Sequence, residues 1–342
     1  MMNRRVVVTG LGMVSPIGND VASSWKAALE GKSGIDRITA FDASAFGCQI
    51  AGEVKDFDAG KYLGVKEVRR FDRFVHFGVS AGIMALEDSG LEITDEFAPE
   101  CGCAIGSGIG GLPLICTNNE ACNERGPRRI SPFLIPGCII NMTSGQLAIM
   151  KNLKGPNIAH VTACSTGLHA IGEAMHIIAR GAHIYAEIVG YGLSGDAFHI
   201  TTPSTDGPAR CMRMALRHAG IAPEDIQYLN AHGTSTNVGD VNEVKAIKEV
   251  FGEHAGKLVV NSTKSMTGHL LGGAGGVESV FTIKALEEQV SPPTINVFEQ
   301  DPECDIDCCP NEARRMEINY AMKNSFGFGG TNSTVIYKRW TE

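Results

Sequence analysis

The sequence predicts an α/β protein made of two similar halves, each a series of β-α-β units. Three observations support this prediction. Strand-like and helix-like segments alternate, the strand-like segments are continuously apolar, and four segments of the first half recur in the same order in the second. Alternation of strands and helices favours mainly parallel sheets covered by helices. Continuously apolar strands are typical of sheets that are buried on both faces.

The repeat can be followed from the first strand onward. Each half opens with a β-branched run and a Gly-x-Gly turn, in RRVVVTGLGMVSP and in IYAEIVGYGLSGD. A helix comes next (SAGIMALEDSGLEITDE, RMALRHAGIAPEDIQ), then a short strand with a loop of small residues (CGCAIGSGIGG, IQYLNAHGTSTNVGD). The last pair is a strand, a loop and a helix, NIAHVTACSTGLHAIGEAMHII and KLVVNSTKSMTGHLLGGAGGVESVFTIKAL. We therefore predict an internal duplication with halves 1–183 and 184–342.

The repeat fails at the end of the first half. The second half continues into two strands, INYAMKNSF and STVIYKR, joined by GFGGTN. The first half has no such pair, because HIIARGAH passes directly into the opening strand of the second half at Ile184. We expect the last strand pair of the first half to be missing from this chain.

Composition excludes several classes of protein. The 342 residues carry a formal net charge of −8, which argues against a chain that binds nucleic acid. No stretch approaches the roughly 18 apolar residues of a membrane span, and the N-terminal apolar run is too short for a signal peptide. The eleven cysteines are odd in number and form no C-x-x-C pair. We expect a cytoplasmic protein without a disulfide framework or a metal site.

Cys164 lies between an apolar strand and a helix-like segment, in HVTACSTG. Apolar residues recur in that segment at spacings of three and four, which predicts an amphipathic helix: Leu168, Ile171, Met175 and Ile178. Backbone N–H groups and the positive end of the dipole at a helix N-terminus stabilise a thiolate near pH 7. Cys164 is therefore a candidate nucleophile, although a buried structural cysteine in a tight turn would show the same pattern.

Two histidines lie in loops that follow strands of the second half. His232 is in NAHGTSTNVGD, and His269 is in STKSMTGHLLGGAGG. These loops correspond by position to GSGIGG and ACSTG of the first half, and ligands of α/β sheets collect outside the carboxyl ends of strands. One loop histidine alone is more often a surface or capping residue. A cysteine with two histidines in corresponding loops indicates a nucleophile with acid–base or oxyanion-stabilising partners.

Five motifs together resemble the β-ketoacyl-acyl carrier protein synthases of the thiolase-like superfamily. They are VVVTGLGMVSPIG, TACSTG, NAHGTSTNVGD, STKSMTGHLLGGAGGVES and NSFGFGGTN. The nearest type is synthase II of bacterial fatty-acid elongation. The initiating type is disfavoured, because that family has asparagine where this chain has His269.

The resemblance implies a thiolase-like fold with layers in the order α-β-α-β-α. It also implies an acyltransferase of fatty-acid biosynthesis that performs a decarboxylative Claisen condensation. An acyl-enzyme thioester reacts with malonyl-acyl carrier protein to give β-ketoacyl-acyl carrier protein. The family acts as a homodimer, without a metal or an organic cofactor, on acyl and malonyl groups carried by phosphopantetheine.

The resemblance also assigns roles to individual residues. Cys164 matches the nucleophile that accepts the acyl chain, and His232 and His269 match the pair that promotes decarboxylation of the malonyl thioester. The backbone N–H groups of Cys164 and Phe328 would form the oxyanion hole. The family's remaining polar pair near the site matches two further residues, for which an ion-pair scaffold is favoured over direct proton transfer: Lys264 and Glu278.

Further positions match the substrate-binding side of the family's site. Thr234 and Thr236 correspond to groups that hydrogen-bond the pantetheine arm, although their hydroxyls could equally satisfy only the loop. Ile109 corresponds to a residue that borders the acyl pocket, with ordinary core packing as the alternative. The small residues of GFGG let a backbone N–H approach the substrate. The remaining predicted substrate contacts lie in and beside that motif: Phe326, Gly327 and Gly329.

The carrier protein is acidic, so the resemblance requires a basic patch near the mouth of the site. KEVRRFDR and GPRRIS supply five cations where the family docks its carrier: Lys66, Arg69, Arg70, Arg128 and Arg129. A solvated charged face would show the same composition.

Two alternative functions are open. Gly106, Gly108 and Gly111 form a G-x-G-x-x-G after a predicted strand, the fingerprint of NAD(P)-dependent oxidoreductases. We disfavour this function because Pro113 should break the helix that the fingerprint opens. The second alternative follows from the missing strand pair. An internally deleted form, or a paralogue reduced to carrier binding, would keep the site without condensing.

Overall fold

The computed structural model describes residues 6–177, 185–196 and 204–341, and within them strands and helices alternate as predicted. The strands are β1 (Val6–Val8), β2 (Ile35–Arg37), β3 (Ile50–Gly52), β4 (Cys103–Ala104), β5 (Asn157–Ile158), β6 (Ala186–Gly195), β7 (Tyr228–Asn230), β8 (Val259–Asn261), β9 (Val290–Ser291), β10 (Arg314–Arg315), β11 (Tyr320–Gly327) and β12 (Thr331–Arg339). The helices are α1 (Val21–Leu29), α2 (Val65–Arg70), α3 (Arg73–Ser89), α4 (Leu112–Arg125), α5 (Leu134–Cys138), α6 (Met142–Lys151), α7 (Thr166–Ile177), α8 (Asp206–Ala219), α9 (Gly239–Phe251), α10 (Lys264–Thr267) and α11 (Ala274–Glu288). Ile178 and the predicted boundary between the halves, 183/184, lie outside the described residues.

One six-stranded sheet dominates the described part of the chain, with the strand order β1-β6-β12-β11-β7-β8. Strands β11, β7 and β8 run parallel, while β12 pairs antiparallel with both β11 and β6. Strand β1 extends the sheet by pairing antiparallel with β6. Strands β4 and β5 form a separate parallel pair.

The predicted five layers are present. Helix α8 packs on one face of the large sheet, and α7 and α11 pack on the other. Helix α7 also contacts β4, and α6 contacts both β4 and β5 and packs against α3. The order is therefore helix, large sheet, central helices, small sheet, helix. The largest apolar cluster lies between the large sheet and the central helices, which are buried on both sides.

Equivalent glycines show why the two halves fold alike. A Cβ atom added at Gly12, just after β1, would lie 1.9 Å from the carbonyl oxygen of Ala81 in α3. A Cβ atom added at Gly192 in β6 would lie 2.1 Å from the carbonyl oxygen of Cys211 in α8. The glycine two residues earlier in each half meets the same helix one turn later. Each Gly-x-Gly pair thus lets a helix pack directly against the backbone, and the predicted duplication is present in the structure. Gly190 and Gly192 lie inside β6, so the prediction of a turn at this pair was wrong.

The missing strand pair would lie in the middle of a sheet. In the second half, β11 and β12 lie between β6 and β7. In the first half, β1 is the counterpart of β6 and β4 is the counterpart of β7. These two strands belong to different sheets, and the described residues place no strand between them. The broken repeat therefore corresponds to a split first-half sheet.

Pro113 does not break a helix, and this prediction was wrong. Helix α4 begins at Leu112 and runs for 14 residues, with Pro113 in its first turn. Proline is tolerated there because the first backbone N–H groups of a helix have no intrahelical acceptor. None of the helices in the described ranges has the length and apolar character that crossing a membrane requires.

Candidate active site

Cys164 lies in a tight turn directly before a helix, as predicted. A single 3-10 turn, Ala163–Ser165, precedes α7, and the Cys164 side chain is buried. The turn puts Ala163 in the left-handed region at φ 47°, which costs a non-glycine residue about 1 kcal/mol or more. Thr166 holds this turn, because its hydroxyl accepts from the N–H of Thr162 at 2.9 Å and donates to the carbonyl of Ala163 at 2.8 Å.

The β11–β12 hairpin is fastened to this turn. The hydroxyl of Ser165 shares its one proton between two carbonyl oxygens, that of Ser325 at 2.9 Å and that of Thr331 at 2.7 Å. A Cβ atom on Gly327 would lie 3.2 Å from the backbone nitrogen of Cys164 and 2.6 Å from Oγ1 of Thr331. Glycine at 327 therefore lets the end of β11 lie against the cysteine.

Two backbone N–H groups converge on the sulfur. Those of Phe328 and of Cys164 itself both favour the thiolate. Burial nevertheless raises the pKa of the Cys164 thiol, and these N–H groups and the charge of Lys264 offset only part of the effect. The expectation that the helix N-terminus stabilises a thiolate near pH 7 was wrong in its net result, because desolvation was left out.

His232 follows β7, and its loop is held by a buried carboxylate. Glu243 of α9 accepts from the backbone N–H groups of His232 at 2.9 Å and Gly233 at 2.8 Å. Burial raises the pKa of Glu243, while those two N–H groups act in the opposite direction. The sequence analysis did not identify Glu243. Glu243 lies in α9 beside the buried Val241 and Val244, and a carboxylate at such a position indicates a buried polar contact.

His269 lies after the short helix α10, and its tautomer follows from its contacts. The backbone N–H of Leu271 donates to Nδ1 of His269 at 3.2 Å. The proton of the neutral ring is therefore on Nε2. This Nε2 is buried and has no hydrogen-bond partner among the residues that the structure describes. It is thus positioned to donate to a carbonyl of a substrate.

Both imidazoles are neutral at pH 7. Burial lowers the pKa of His232 well below its ordinary value and that of His269 to about 4. The nearby ammonium groups of Lys264 and Lys323 act in the same direction. The two rings lie 5.2 Å apart between centroids, at an angle of 83°.

A buried ion cluster lies behind the histidines. Oε1 of Glu278 is 2.5 Å from Nζ of Lys264, which confirms the predicted pairing of these side chains in space. Oε2 of Glu278 is 2.7 Å from Nζ of Lys323, a residue that the sequence analysis missed. Burial alone would raise the pKa of Glu278, but the two ammonium groups hold it below its ordinary value. Lys323 could have been recognised from the sequence, because a lysine in the middle of the apolar strand INYAMKNSF needs a buried partner for its charge.

Most of the predicted catalytic and substrate-binding residues line one cavity of about 810 Å³. Its walls include eight of them: Cys164, His232, Thr234, Thr236, His269, Phe326, Gly327 and Phe328. Two predicted substrate residues are not part of its lining. Gly329 is in the hairpin turn at φ 82°, and Ile109 has 61% of its surface exposed, which also excludes the alternative of core packing for Ile109.

The predicted basic patch is on the surface. Lys66, Arg69 and Arg70 are on α2, and Arg128 and Arg129 are in a 3-10 turn after α4. All but the half-buried Arg70 are exposed. The guanidinium of Arg70 lies 4.3 Å above the ring of Phe133, which comes shortly after that turn.

The cysteine and the two histidines could, by spacing alone, hold a metal ion. One ligand atom from each of Cys164, His232 and His269 lies within 4.8 Å of the others. The donor set fits poorly, because Nε2 of His269 carries a proton and a metal ligand must offer a lone pair. The arrangement suits a sulfur nucleophile beside hydrogen-bond donors.

The glycine-rich loop is not open to a dinucleotide. A Cβ atom on Gly106 would lie 2.1 Å from the carbonyl oxygen of His160, and one on Gly108 would lie 3.1 Å from the backbone nitrogen of Gly272. Protein backbone occupies the side of the loop where a pyrophosphate would approach.

Comparisons with known proteins agree with the resemblance of the motifs. The model of the β-ketoacyl synthase N-terminal domain matches residues 3–193, and that of the C-terminal domain matches residues 185–298. The 3-oxoacyl-[acyl-carrier-protein] synthase 2 of Coxiella burnetii is 47% identical over 411 positions, which cover 99% of each chain. At least 69 of those 411 positions have no counterpart in the 342 residues of this chain, so the relative contains internal residues that are absent here.

Solved structures give the same result. A β-ketoacyl synthase from Burkholderia phymatum STM815 has a TM-score of 0.88 at 27% identity, covering 99% of this chain and all of that one. A type II PKS acyl-carrier protein in complex with its ketosynthase gives a TM-score of 0.84 at 27% identity, with the same coverage. The chain thus has the thiolase-like fold around its Cys-His-His site, and it belongs to the β-ketoacyl synthase family.

Proposed function

We propose that this protein is an elongating 3-oxoacyl-acyl carrier protein synthase with Cys164 as its nucleophile. The observation that carries the proposal is the meeting of a thiol and two histidines within 4.8 Å. These groups lie on one cavity at the carboxyl ends of strands from both halves. The 47% identical relative with this activity supports the same reaction.

The reaction has two stages. In the first, the Cys164 thiol attacks the thioester carbonyl of an acyl carrier protein, the bond from that carbonyl to the pantetheine sulfur breaks, and the proton of Cys164 passes to the departing pantetheine sulfur. In the second, malonyl-acyl carrier protein enters and its carboxylate leaves as CO₂. The electron pair of the broken C–C bond forms an enolate that attacks the acyl-Cys164 carbonyl. The Cys164 sulfur is then expelled, and β-ketoacyl-acyl carrier protein is released.

His232 and His269 stabilise the enolate of the malonyl thioester. An enolate oxygen needs hydrogen-bond donors, and a neutral imidazole protonated on Nε2 is such a donor. The Leu271 N–H fixes this tautomer at His269. Because both imidazoles are neutral at pH 7, neither forms an ion pair with the malonyl carboxylate, which is therefore free to leave.

The backbone N–H groups of Phe328 and Cys164 form the oxyanion hole for the tetrahedral intermediates. Both already interact with the sulfur, so a carbonyl under attack lies beside them. Thr234 and Thr236 line the cavity, where their hydroxyls are available to the pantetheine arm. Lys264 and Glu278 act as a scaffold, since their charges neutralise each other behind the histidines.

The carrier protein docks on the basic patch. A carrier protein bound to its ketosynthase among the structural relatives supports this partner. The exposed cations Lys66, Arg69, Arg128 and Arg129 offer complementary charge to an acidic carrier. The protein acts as a homodimer in the cytoplasm, without a cofactor, as the resemblance implies.

The test supplies acyl- and malonyl-acyl carrier protein and measures β-ketoacyl product and acyl-enzyme by mass spectrometry. The acyl group is expected on Cys164, and Cys164→Ala should abolish both acyl-enzyme and product. Cys48→Ser, which changes an exposed cysteine outside the cavity, is the matched control and should retain activity. Acylation elsewhere, or full activity of Cys164→Ala, would show that the assignment is wrong.

Because the first-half sheet is split, the test also addresses the alternative that the chain binds acyl carrier protein without catalysing condensation. The same assay separates the two functions, because a reduced binding protein would retain acyl carrier protein without forming product. Binding is measured by titrating labelled carrier protein onto the chain. Charge reversal at Arg128 and Arg129 should weaken binding in either case, while only the synthase forms the β-ketoacyl product.

A further inference from the structure

Lys323 is a charged residue at the centre of a buried strand. Strand β11 carries no other charged side chain, and the side chain of Lys323 is fully buried, with 0% exposed. Burial of an unpaired ammonium costs several kcal/mol. A lysine at such a position therefore needs partners that repay its desolvation.

The partners of Lys323 belong to the active site. Its Nζ lies 2.7 Å from Oε2 of Glu278 and 3.4 Å from the carbonyl of Ala231, and it also donates to the carbonyl of Asn324. The other carboxylate oxygen of Glu278 holds Lys264. Glu278 is thus bridged by two ammonium groups.

These contacts join the three segments that carry the reacting groups. Ala231 immediately precedes His232, and Lys264 begins the short helix that leads to His269. Asn324 lies in the strand that ends beside Cys164, at Gly327. The Lys323 ammonium therefore contacts the His232 segment and β11 directly, and it is linked to the His269 segment through Glu278.

We propose that Lys323 is a positioning residue of the condensing site, in which its buried ammonium serves as the second counter-cation of Glu278 and fixes the histidine segments to β11. The inference rests on the proposed function. It adds to the predicted Lys264–Glu278 pair a third member whose charge leaves the cluster with a net charge of +1.

The charges around Lys323 show how this net positive charge acts on the two histidines. Glu278 of α11 and Glu243 of α9 favour the ammonium, Lys264 of α10 opposes it, and burial lowers the pKa of Lys323 to about 8. After burial, the ammonium groups of Lys264 and Lys323 lower the pKa of both imidazoles, while Glu278 acts against them at His269. Lys323 thereby adds to burial, the main cause of the lowered pKa of both rings, in keeping them neutral.

The test compares Lys323→Met, which keeps length and removes charge, with Lys323→Arg, which keeps charge. Histidines labelled with ¹³C at Cε1 are titrated by NMR, with His269 assigned through His269→Gln. The pKa of His269 is expected to rise in Lys323→Met and to stay close to the parent value in Lys323→Arg. Lys323→Gln, which retains hydrogen bonding, is a second neutral variant if Lys323→Met does not fold.

The second measurement is CO₂ release from malonyl-acyl carrier protein. Displacement of the histidines should slow it roughly 10- to 100-fold in both neutral variants. Acyl transfer to Cys164 should change less, because the Lys323 contacts lie mainly on the histidine side. Lys284→Met is the matched control, since Lys284 also pairs with glutamates but does so at the far end of α11.

The outcomes are distinguishable. If the neutral variants leave both the His269 titration and the CO₂ release at parental levels, Lys323 has no positioning role. If the parent releases no CO₂ and forms no product, the proposed function fails. The His269 titration then still decides whether the charge of Lys323 acts on that ring.

Discussion

At the scale of single residues, the site owes its chemistry to groups that burial has made neutral. His269 illustrates this, because desolvation lowers its pKa to about 4 and the Leu271 N–H leaves the proton on Nε2. The same desolvation raises the pKa of the Cys164 thiol. The thiol of Cys164 and the imidazole of His269 are therefore both uncharged at pH 7, and the proposed reaction depends on where their protons and lone pairs point.

The neutral state of His269 has a cost at low pH. Its folded-state pKa of about 4 lies below the ordinary value of 6.5, so the unfolded chain binds the proton more tightly. The contribution of neutral His269 to the free energy of unfolding is fully present above the unfolded-state pKa. It is lost as the pH falls from 6.5 towards 4. We expect the loss at pH 5, relative to pH 8, to be about 2 kcal/mol.

Urea unfolding at pH 8 and pH 5 measures this loss, with His269→Gln as the comparison. The variant should lose about 2 kcal/mol less than the parent between the two pH values, because glutamine does not titrate. An equal loss in both proteins would mean that His269 is already protonated in the native state at pH 5.

At the scale of elements, the Gly-x-Gly pairs set how closely α3 and α8 approach the backbone of each half. The Cβ of an alanine at 192 would lie 2.1 Å from the carbonyl oxygen of Cys211, so β6 and α8 would have to separate. We expect Gly192→Ala to lower the free energy of unfolding by about 1–3 kcal/mol, the usual cost of overpacking.

The control for this prediction is Gly145→Ala in α6. A Cβ there meets no atom within 4 Å, and alanine has the higher helix propensity. That substitution should leave stability unchanged or raise it by up to about 1 kcal/mol. Thermal or urea unfolding measures the stability of the two variants. Equal stabilities would show that the contact between β6 and α8 is not tight.

The same glycines show how much of the fold could be predicted from the sequence. The repeated motifs predicted the duplication and the interrupted repeat, because both depend on local patterns that recur along the chain, whereas the order of the layers was implied by the family resemblance. Pro113 was misread, since a proline breaks or begins a helix according to where the helix starts. That position is set by the packing of Gly111 against Cys138, which no local pattern reveals.

The site was predictable to a similar depth. Cys164, His232 and His269 could be found because they lie in motifs at strand ends. Lys323 and Glu243 were missed, since their importance comes from partners distant in sequence: Nζ of Lys323 meets Glu278, 45 residues earlier in the chain. The raised pKa of Cys164 was missed for the same reason, because burial is a property of the packed molecule.

At the scale of the whole molecule, the two halves differ in how many strand partners their equivalent strands have. In the second half, β7 pairs with β8 on one side and with β11 on the other. Its first-half counterpart β4 pairs with β5 alone among the described residues. Strand β1, which would complete that sheet, instead pairs with β6 of the second half.

This asymmetry predicts unequal local stability. Local opening costs less where fewer strand partners and fewer buried contacts must be broken. Backbone amides of Cys103–Ala104 should therefore exchange with solvent deuterium faster than those of Tyr228–Asn230, the equivalent strand in the duplicate. Hydrogen–deuterium exchange read by mass spectrometry compares the two strands within one protein, so temperature and pH are identical for both.

The comparison bears directly on the reaction. Strand β5, the partner of β4, leads within a few residues to the turn that holds Cys164, whereas β7 and β8 lead to the histidines. Faster exchange in β4 would mean that Cys164, the proposed nucleophile, belongs to the less stable half and that His232 and His269 belong to the more stable one. Acyl transfer should then fall before CO₂ release as denaturant is added below the global transition. Equal protection of the two strands would contradict this and show that the central helices hold the first half as firmly as a complete sheet would.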